Sequence, residues 1–157
     1  MRFTRQIVVT ASTVALFASV GGVAPAPAAQ QVQFTITEQI NFATGDATFT
    51  TTGPLCPTGT FVDTVATVAG APSGQPKIEL RITTVYTCDD NSGTFDMFKH
   101  VFLTLNPDGS STNTGPVQIL GGTGVYAGLI GHGVDDGTAS GDTGVGQITG
   151  WVLAGGS

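Results

Sequence analysis

Beyond its first thirty residues the chain shows no apolar repeat at helical spacing. It is written instead in short runs of β-branched and aromatic residues broken by turn signals. The runs are QVQFTITEQINF, DATFTTT, TFVDTVATV, KIELRITTVYTC, TFDMFKHVFLTL, PVQIL, GVYAGLIGHGV and GQITGWVL. Between them stand ATGD, GPLCPTG, AGAPSGQP, DDNSG, NPDGSSTNTG, GGT and DDGTASGDTGV. Eight extended segments joined by short connections imply an antiparallel meander. A meander of that size removes its exposed edges most simply by closing on itself. The expected fold is all-β, an eight-stranded antiparallel β-barrel forming one domain over residues 29–157.

The stretch GGTGVYAGLIGHG, residues 121–133, tests that expectation. Residues 122–127, GTGVYA, fit a loose dinucleotide fingerprint, which needs a helix to start at the turn so that free N–H groups meet a pyrophosphate. Gly128, Gly131 and Gly133 follow, and each costs a helix about 1 kcal/mol. A flexible tether, in turn, has no use for Val125, Tyr126, Leu129 and Ile130. A tight turn into a bent strand remains, with Gly121, Gly122 and Gly124 in conformations other residues dislike and Tyr126 packed on the sheet with its hydroxyl bonded.

The N-terminus has a different character. Arg2 and Arg5 precede an apolar run from Ile7 to Val20, followed by Ala26-Pro27-Ala28. This order of charge, apolar core and small-residue cleavage site is that of a secretory signal peptide, residues 1–28. The run is shorter than the roughly 20 apolar residues a membrane-spanning helix requires. Removing it leaves three basic residues against eleven acidic ones, a net charge of −8. Such a surface repels nucleic acid and anionic lipid, so neither is an expected partner. In a secreted chain the two cysteines, Cys56 and Cys88, favour one disulfide over two buried thiols. Neither stands in a C-x-x-C pair, which argues against a metal site.

The central hairpin can be set in register. Pairing Thr87 with Thr94 across CDDNSG puts Ile78, Leu80, Ile82 and Tyr86 on one face with Leu103, Val101, Lys99 and Phe95. A one-residue slip would mix apolar and charged residues on both faces. The other face holds Glu79, Arg81, Asp96, Phe98, His100 and Phe102, and it is the candidate site. Lining a cavity, Phe98 and Phe102, with Tyr126 nearby, would hold a planar or apolar ligand. His100 or Asp96 would move a proton, tuned by Arg81 and Glu79. Facing solvent, the same residues would pair charges across strands. The hairpin alone does not say which face points inward, although the opposite face is composed like a core.

Other motifs carry less. Asp135, Asp136 and Asp142 lie in DDGTASGDTG, which lacks the ligand spacing of a calcium loop and reads as a solvated turn. Two histidines and no G-x-S-x-G give no hydrolytic triad. His132, between two glycines, reads as exposed. Trp151 reads as core closure at the last strand.

The segment ILGGTGVYAGLIGHG, together with GTFDMFKHVFLTLNPDGS upstream, resembles the signature of the allene oxide cyclase barrel-like superfamily. That superfamily includes plant dirigent proteins and secreted bacterial domains. The resemblance implies an eight-stranded barrel with a central cavity, assembled as a trimer or dimer. In the plant branches that cavity guides cyclisation or coupling of lipid-derived or phenolic intermediates. Ile130 stands where dirigent proteins usually carry Arg, and no catalytic residue of either plant branch maps onto this chain by motif. The leading expectation is a secreted barrel that holds a small hydrophobic or phenolic molecule and guides its cyclisation or isomerisation with no cofactor. The rival is a non-catalytic extracellular interaction or scaffold domain whose barrel is filled by its own side chains. Interior volume discriminates between them. A cavity of about 300 Å³ or more reached by polar side chains favours the ligand. An interior packed solid by Ile78, Leu80, Ile82, Phe95 and Leu103 favours the module.

Overall fold

A computed structural model describes residues 30–69 and 77–154. The expected signal peptide, residues 1–28, lies outside the described residues. Eight strands follow in chain order: β1 Gln30–Asn41, β2 Asp46–Thr52, β3 Thr58–Ala69, β4 Lys77–Cys88, β5 Thr94–Leu105, β6 Ser111–Gly122, β7 Gly131–Ser140 and β8 Thr143–Ala154. Each pairs antiparallel with its neighbour, and β8 returns to β1, so the sheet is a closed eight-stranded barrel. Closure gives every strand a partner on both sides, although β2 is short and meets β3 only at Thr48–Thr50 with Thr58–Thr60.

The hairpin register is the expected one: Thr87 pairs with Thr94, Arg81 with His100 and Leu80 with Val101. The apolar face points into the barrel. Phe95, Met97, Lys99 and Val101 alternate as buried residues along β5, the two-residue period of a strand with one face inside.

The two ends of the barrel differ. Three connections meet at one end: Gly53–Pro57, Asp89–Gly93 and Thr123–Ile130. There the disulfide Cys56–Cys88 ties the β2–β3 connection to the end of β4, with the two Cα atoms 5.9 Å apart. The glycine-rich segment forms a 3₁₀ turn at Gly124–Tyr126. It lies over this end, where Val125 N–H donates to the Ser92 carbonyl at 3.0 Å. Gly124 has φ +59°, and a Cβ there would collide with the same carbonyl. Glycine is required at this point both by the conformation and by the close approach of two chain segments. Tyr126 is buried, and its hydroxyl meets Ser92 Oγ at 3.2 Å, as expected.

Strand boundaries in the C-terminal third depart from the sequence reading. The segment GVYAGLIGHGV divides into the 3₁₀ turn and the start of β7. DDGTASGDTGV is not a loop but most of β7, a two-residue turn and the start of β8. The cause is side-chain size. Inward positions of these strands are held by Gly137, Ala139, Gly144 and Gly146, so the apolar alternation that marks a half-buried strand is missing although the ladder is complete. Trp151 is on the outer face, on the same rung as His132 with ring centroids 5.4 Å apart, and does not close the core.

Candidate functional site

The inside of the barrel has two halves. Toward the disulfide end it is filled by aromatic rings. Tyr86 and Phe95 stack at 4.5 Å between centroids, Phe49 meets both edge-on at 5.2 and 5.8 Å, and Tyr126 caps the group 5.6 Å from Phe95. Toward the opposite end, where β1 turns into β2 and β7 into β8, lies a cavity of about 280 Å³. Its walls include Ile40, Leu80, Ile82, Val101 and Leu103. Opposite them stand Gly144, Gly146 and Ala139, which leave the space unfilled.

Charged residues gather where the two halves meet. Lys99, only 2% exposed, places its Nζ 2.5 Å from Oε1 of Glu38, itself 7% exposed. The same Glu38 oxygen accepts a hydrogen bond from the Tyr86 hydroxyl. The Lys99 ammonium lies 5.7 Å from the ring centroids of both Phe61 and Tyr86, so the aromatic half forms the floor beneath the charge. Burial, reinforced by the neighbouring Glu38 carboxylate, holds the Tyr86 hydroxyl well above its ordinary pKa, and it remains a donor. Asp63 also borders the cavity and accepts from Thr84 Oγ1 at 2.6 Å.

Asp135 is the unusual member. It is 4% exposed, and its Oδ2 accepts from Asn113 Nδ2 at 3.1 Å, while Oδ1 is buried with no hydrogen-bond partner among the described residues. Burial lifts its pKa to about 6; Lys99 opposes the rise, and Glu38, Asp136 and Asp63 add to it. An unsatisfied buried carboxylate oxygen carries a desolvation penalty of the order of 1–3 kcal/mol or more, which a ligand that supplies a hydrogen-bond donor would relieve.

The residues singled out from sequence lie elsewhere. Glu79, Arg81 and His100 do come together, but on the outer face: His100 Nε2 is 2.7 Å from Glu79 Oε1, and Arg81 Nη2 reaches the same oxygen at 3.2 Å. The His100 hydrogen bond, with help from Arg81, holds the Glu79 carboxyl below its ordinary range. Phe102 flanks the His100 ring at 5.2 Å. Phe98 and Asp96 follow on the Thr83 and Val85 rungs of the same face. None of these six borders the cavity, because the two-residue period sends them outward whenever Lys99 and Val101 point in. Tyr126 is inside but plugs the packed end. The arrangement is therefore the cross-strand pairing considered as the alternative.

The cluster that sequence reasoning passed over is Glu38, Asp63, Lys99 and Asp135. One signal for it was present. Lys99 is the single charged residue on the apolar face of the central hairpin, and a lysine there needs a buried partner. Asp135, read as part of a solvated turn, is on the inner face of β7.

Among the described residues no helix is long and apolar enough to cross a membrane. Comparison of the chain with protein-family models, curated proteins and solved structures found no match.

Proposed function

We propose that this protein is a secreted barrel whose function is to hold a small, mainly apolar molecule in the cavity beside Lys99 and Asp135. The observation that carries the reading is the buried Oδ1 of Asp135, partnerless among the described residues, at the edge of an apolar cavity of about 280 Å³. Pockets that bind small molecules combine apolar walls with a few placed polar groups and a titratable residue shifted from its usual pKa. The resemblance to the allene oxide cyclase barrel-like superfamily supports the same reading, with a phenolic or lipid-derived ligand and assembly as a trimer or dimer. Export is supported by the leader sequence and is compatible with the disulfide.

Where the bound molecule is reactive, the chemistry that suits this cavity is cyclisation or isomerisation without a cofactor. Confinement supplies the orientation. Asp135, with a pKa of about 6, is suited to exchanging a proton near neutral pH.

The test uses 2-naphthol, a phenolic fluorophore small enough for the cavity. Saturable binding to the wild-type protein, lost in an Ala139→Phe variant that still unfolds cooperatively, is the expected result. Absence of saturable binding, or equal binding by both proteins, would discard the reading in favour of a non-catalytic scaffold domain. Native mass spectrometry of protein recovered from its own culture medium would reveal a retained ligand and the number of subunits.

A further inference from the structure

The cavity's inventory of donors and acceptors is unbalanced. Lys99 and the Tyr86 hydroxyl both donate to Glu38, Thr84 Oγ1 donates to Asp63, and the Asn113 amide donates to Asp135 Oδ2. Among the described residues the buried side-chain atom without a partner is an acceptor, Asp135 Oδ1, while Lys99 Nζ commits one of its three N–H donors to Glu38. The charges are unbalanced in the same sense, since Glu38, Asp63 and Asp135 border the cavity with Lys99 as the sole cation among its lining residues. Among the described residues no group of three or more His, Cys, Asp or Glu is placed to hold a metal ion. A positive charge carried on an organic molecule would balance these charges.

We propose that the cavity is selective for an organic cation: a molecule with a compact apolar body and a protonated amine that docks against Asp135. This rests on the ligand-holding role above and specifies its chemistry. An ammonium group brings several N–H donors and no acceptor. It satisfies Oδ1 and reduces the excess of negative charge. A neutral hydroxyl supplies the donor without the charge, and a carboxylate supplies neither. Charge-assisted hydrogen bonds are the stronger kind, above all where water is excluded.

The apolar body meets Ile40, Leu80, Ile82, Val101 and Leu103. A dry cavity of about 150 Å³ takes up benzene. The 280 Å³ here suits an aromatic ring carrying a two-carbon arm and its head group. The acidic surface, with a net charge of −8 once the leader is removed, favours the approach of a cation as well.

The test is calorimetric titration of the folded protein at pH 7.5 with 2-phenylethylamine, 2-phenylethanol and phenylacetate, which share a ring and differ in the charge of the head. The amine is expected to bind at least tenfold more tightly than the alcohol, with no measurable binding of the carboxylate. Lowering the pH from 7.5 to 5 protonates Asp135 and should weaken amine binding about tenfold while the amine keeps its own charge. Glu38, Asp63 and Lys99 face the same space, and the alcohol's pH profile records whatever their titration contributes. Asp135→Asn should bring the amine-to-alcohol ratio to within about threefold. The wild-type pH series carries the same information if that variant fails to fold. Alcohol binding as tight as amine binding, or a preference for the amine that does not change with pH, would overturn the cation proposal and leave the ligand-holding role standing. Failure of all three probes while 2-naphthol still binds would do the same. Failure of 2-naphthol as well would remove both.

Discussion

The two halves of the barrel interior are built from the same strands with the same alternation, yet one is packed and the other open. In the packed half large rings interlock with aliphatic side chains such as Ile36, Ile119 and Ile148, and Phe49, Tyr86 and Phe95 meet at 4.5 to 5.8 Å. In the open half the β4–β5 wall carries Leu80, Ile82, Val101 and Leu103, but β7 and β8 answer with Ala139, Gly144 and Gly146. Every strand pairs with both of its neighbours, but the β2–β3 ladder covers only Thr48–Thr50 with Thr58–Thr60, and toward the open end β3 continues without a β2 partner. The space therefore accompanies side chains withheld on the β7–β8 wall and a short β2–β3 seam beside Asp63. Stability is concentrated where residues interlock. Binding capacity is concentrated where they do not, and the Glu38–Lys99 pair marks the boundary.

The sharpest way to break this division is to damage the packed half. Phe95→Ala removes a fully buried ring with three aromatic neighbours, and the expected loss is about 4 kcal/mol in denaturant unfolding. Replacing both cysteines by serine opens a 32-residue separation, with an expected loss of about 3 to 4 kcal/mol from loop-closure entropy. Any folded fraction of the cysteine-free protein should bind 2-naphthol with unchanged affinity, since the disulfide is at the far end from the cavity. A large drop in affinity would show that the halves are coupled.

Asp135 sharpens the comparison from the other side, because there the site is expected to cost stability. Its pKa is raised from 3.8 to about 6 by burial, so the folded state disfavours the ionised form. The stability this group contributes is complete below pH 3.8 and is lost as the pH rises through about 6. Two units correspond to about 3 kcal/mol at most. Asp135→Asn should therefore raise stability by up to that amount at pH 7.5 and make little difference at pH 4. A gain independent of pH, or a loss at pH 7.5, would show that the carboxylate is satisfied and that the site is not strained by it.

How much of this could be read from the sequence follows the same division. The barrel, the disulfide and the 77–105 register were legible because β-branched runs, turn residues and a coherent two-faced pattern all agree there. Wherever glycine replaces an inward side chain the pattern falls silent, and for that reason residues 135–145, the rest of β7 and the start of β8, read as a connection. The site was missed because its charges sit one each on β1, β3, β5 and β7, so no local motif contains them. The outer cluster drew notice instead, since Arg81 and His100 are neighbours across a single hairpin. Lys99 on an apolar face was the residue from which the interior site could have been found.

The smallest expected effect tests the open half directly. Leu103 borders the cavity and is only partly buried, so truncating it to alanine enlarges an existing space in place of creating a new one. The penalty for a core leucine is a transfer contribution plus a contribution from the void left behind. Here water can enter the enlarged space from the barrel mouth, and the expected loss is about 1 kcal/mol. The same truncation beside the stacked rings, Met97→Ala, removes a residue with no exposure and should cost about 3 kcal/mol. The ratio between these two variants, measured by the same denaturant titration, is the quantity that matters. Equal losses would mean that the open half is packed in solution as tightly as the aromatic half, by a bound molecule or by rearranged side chains. Adding 2-phenylethylamine separates those two causes, because a ligand-filled cavity would exchange its occupant whereas a collapsed one would bind nothing.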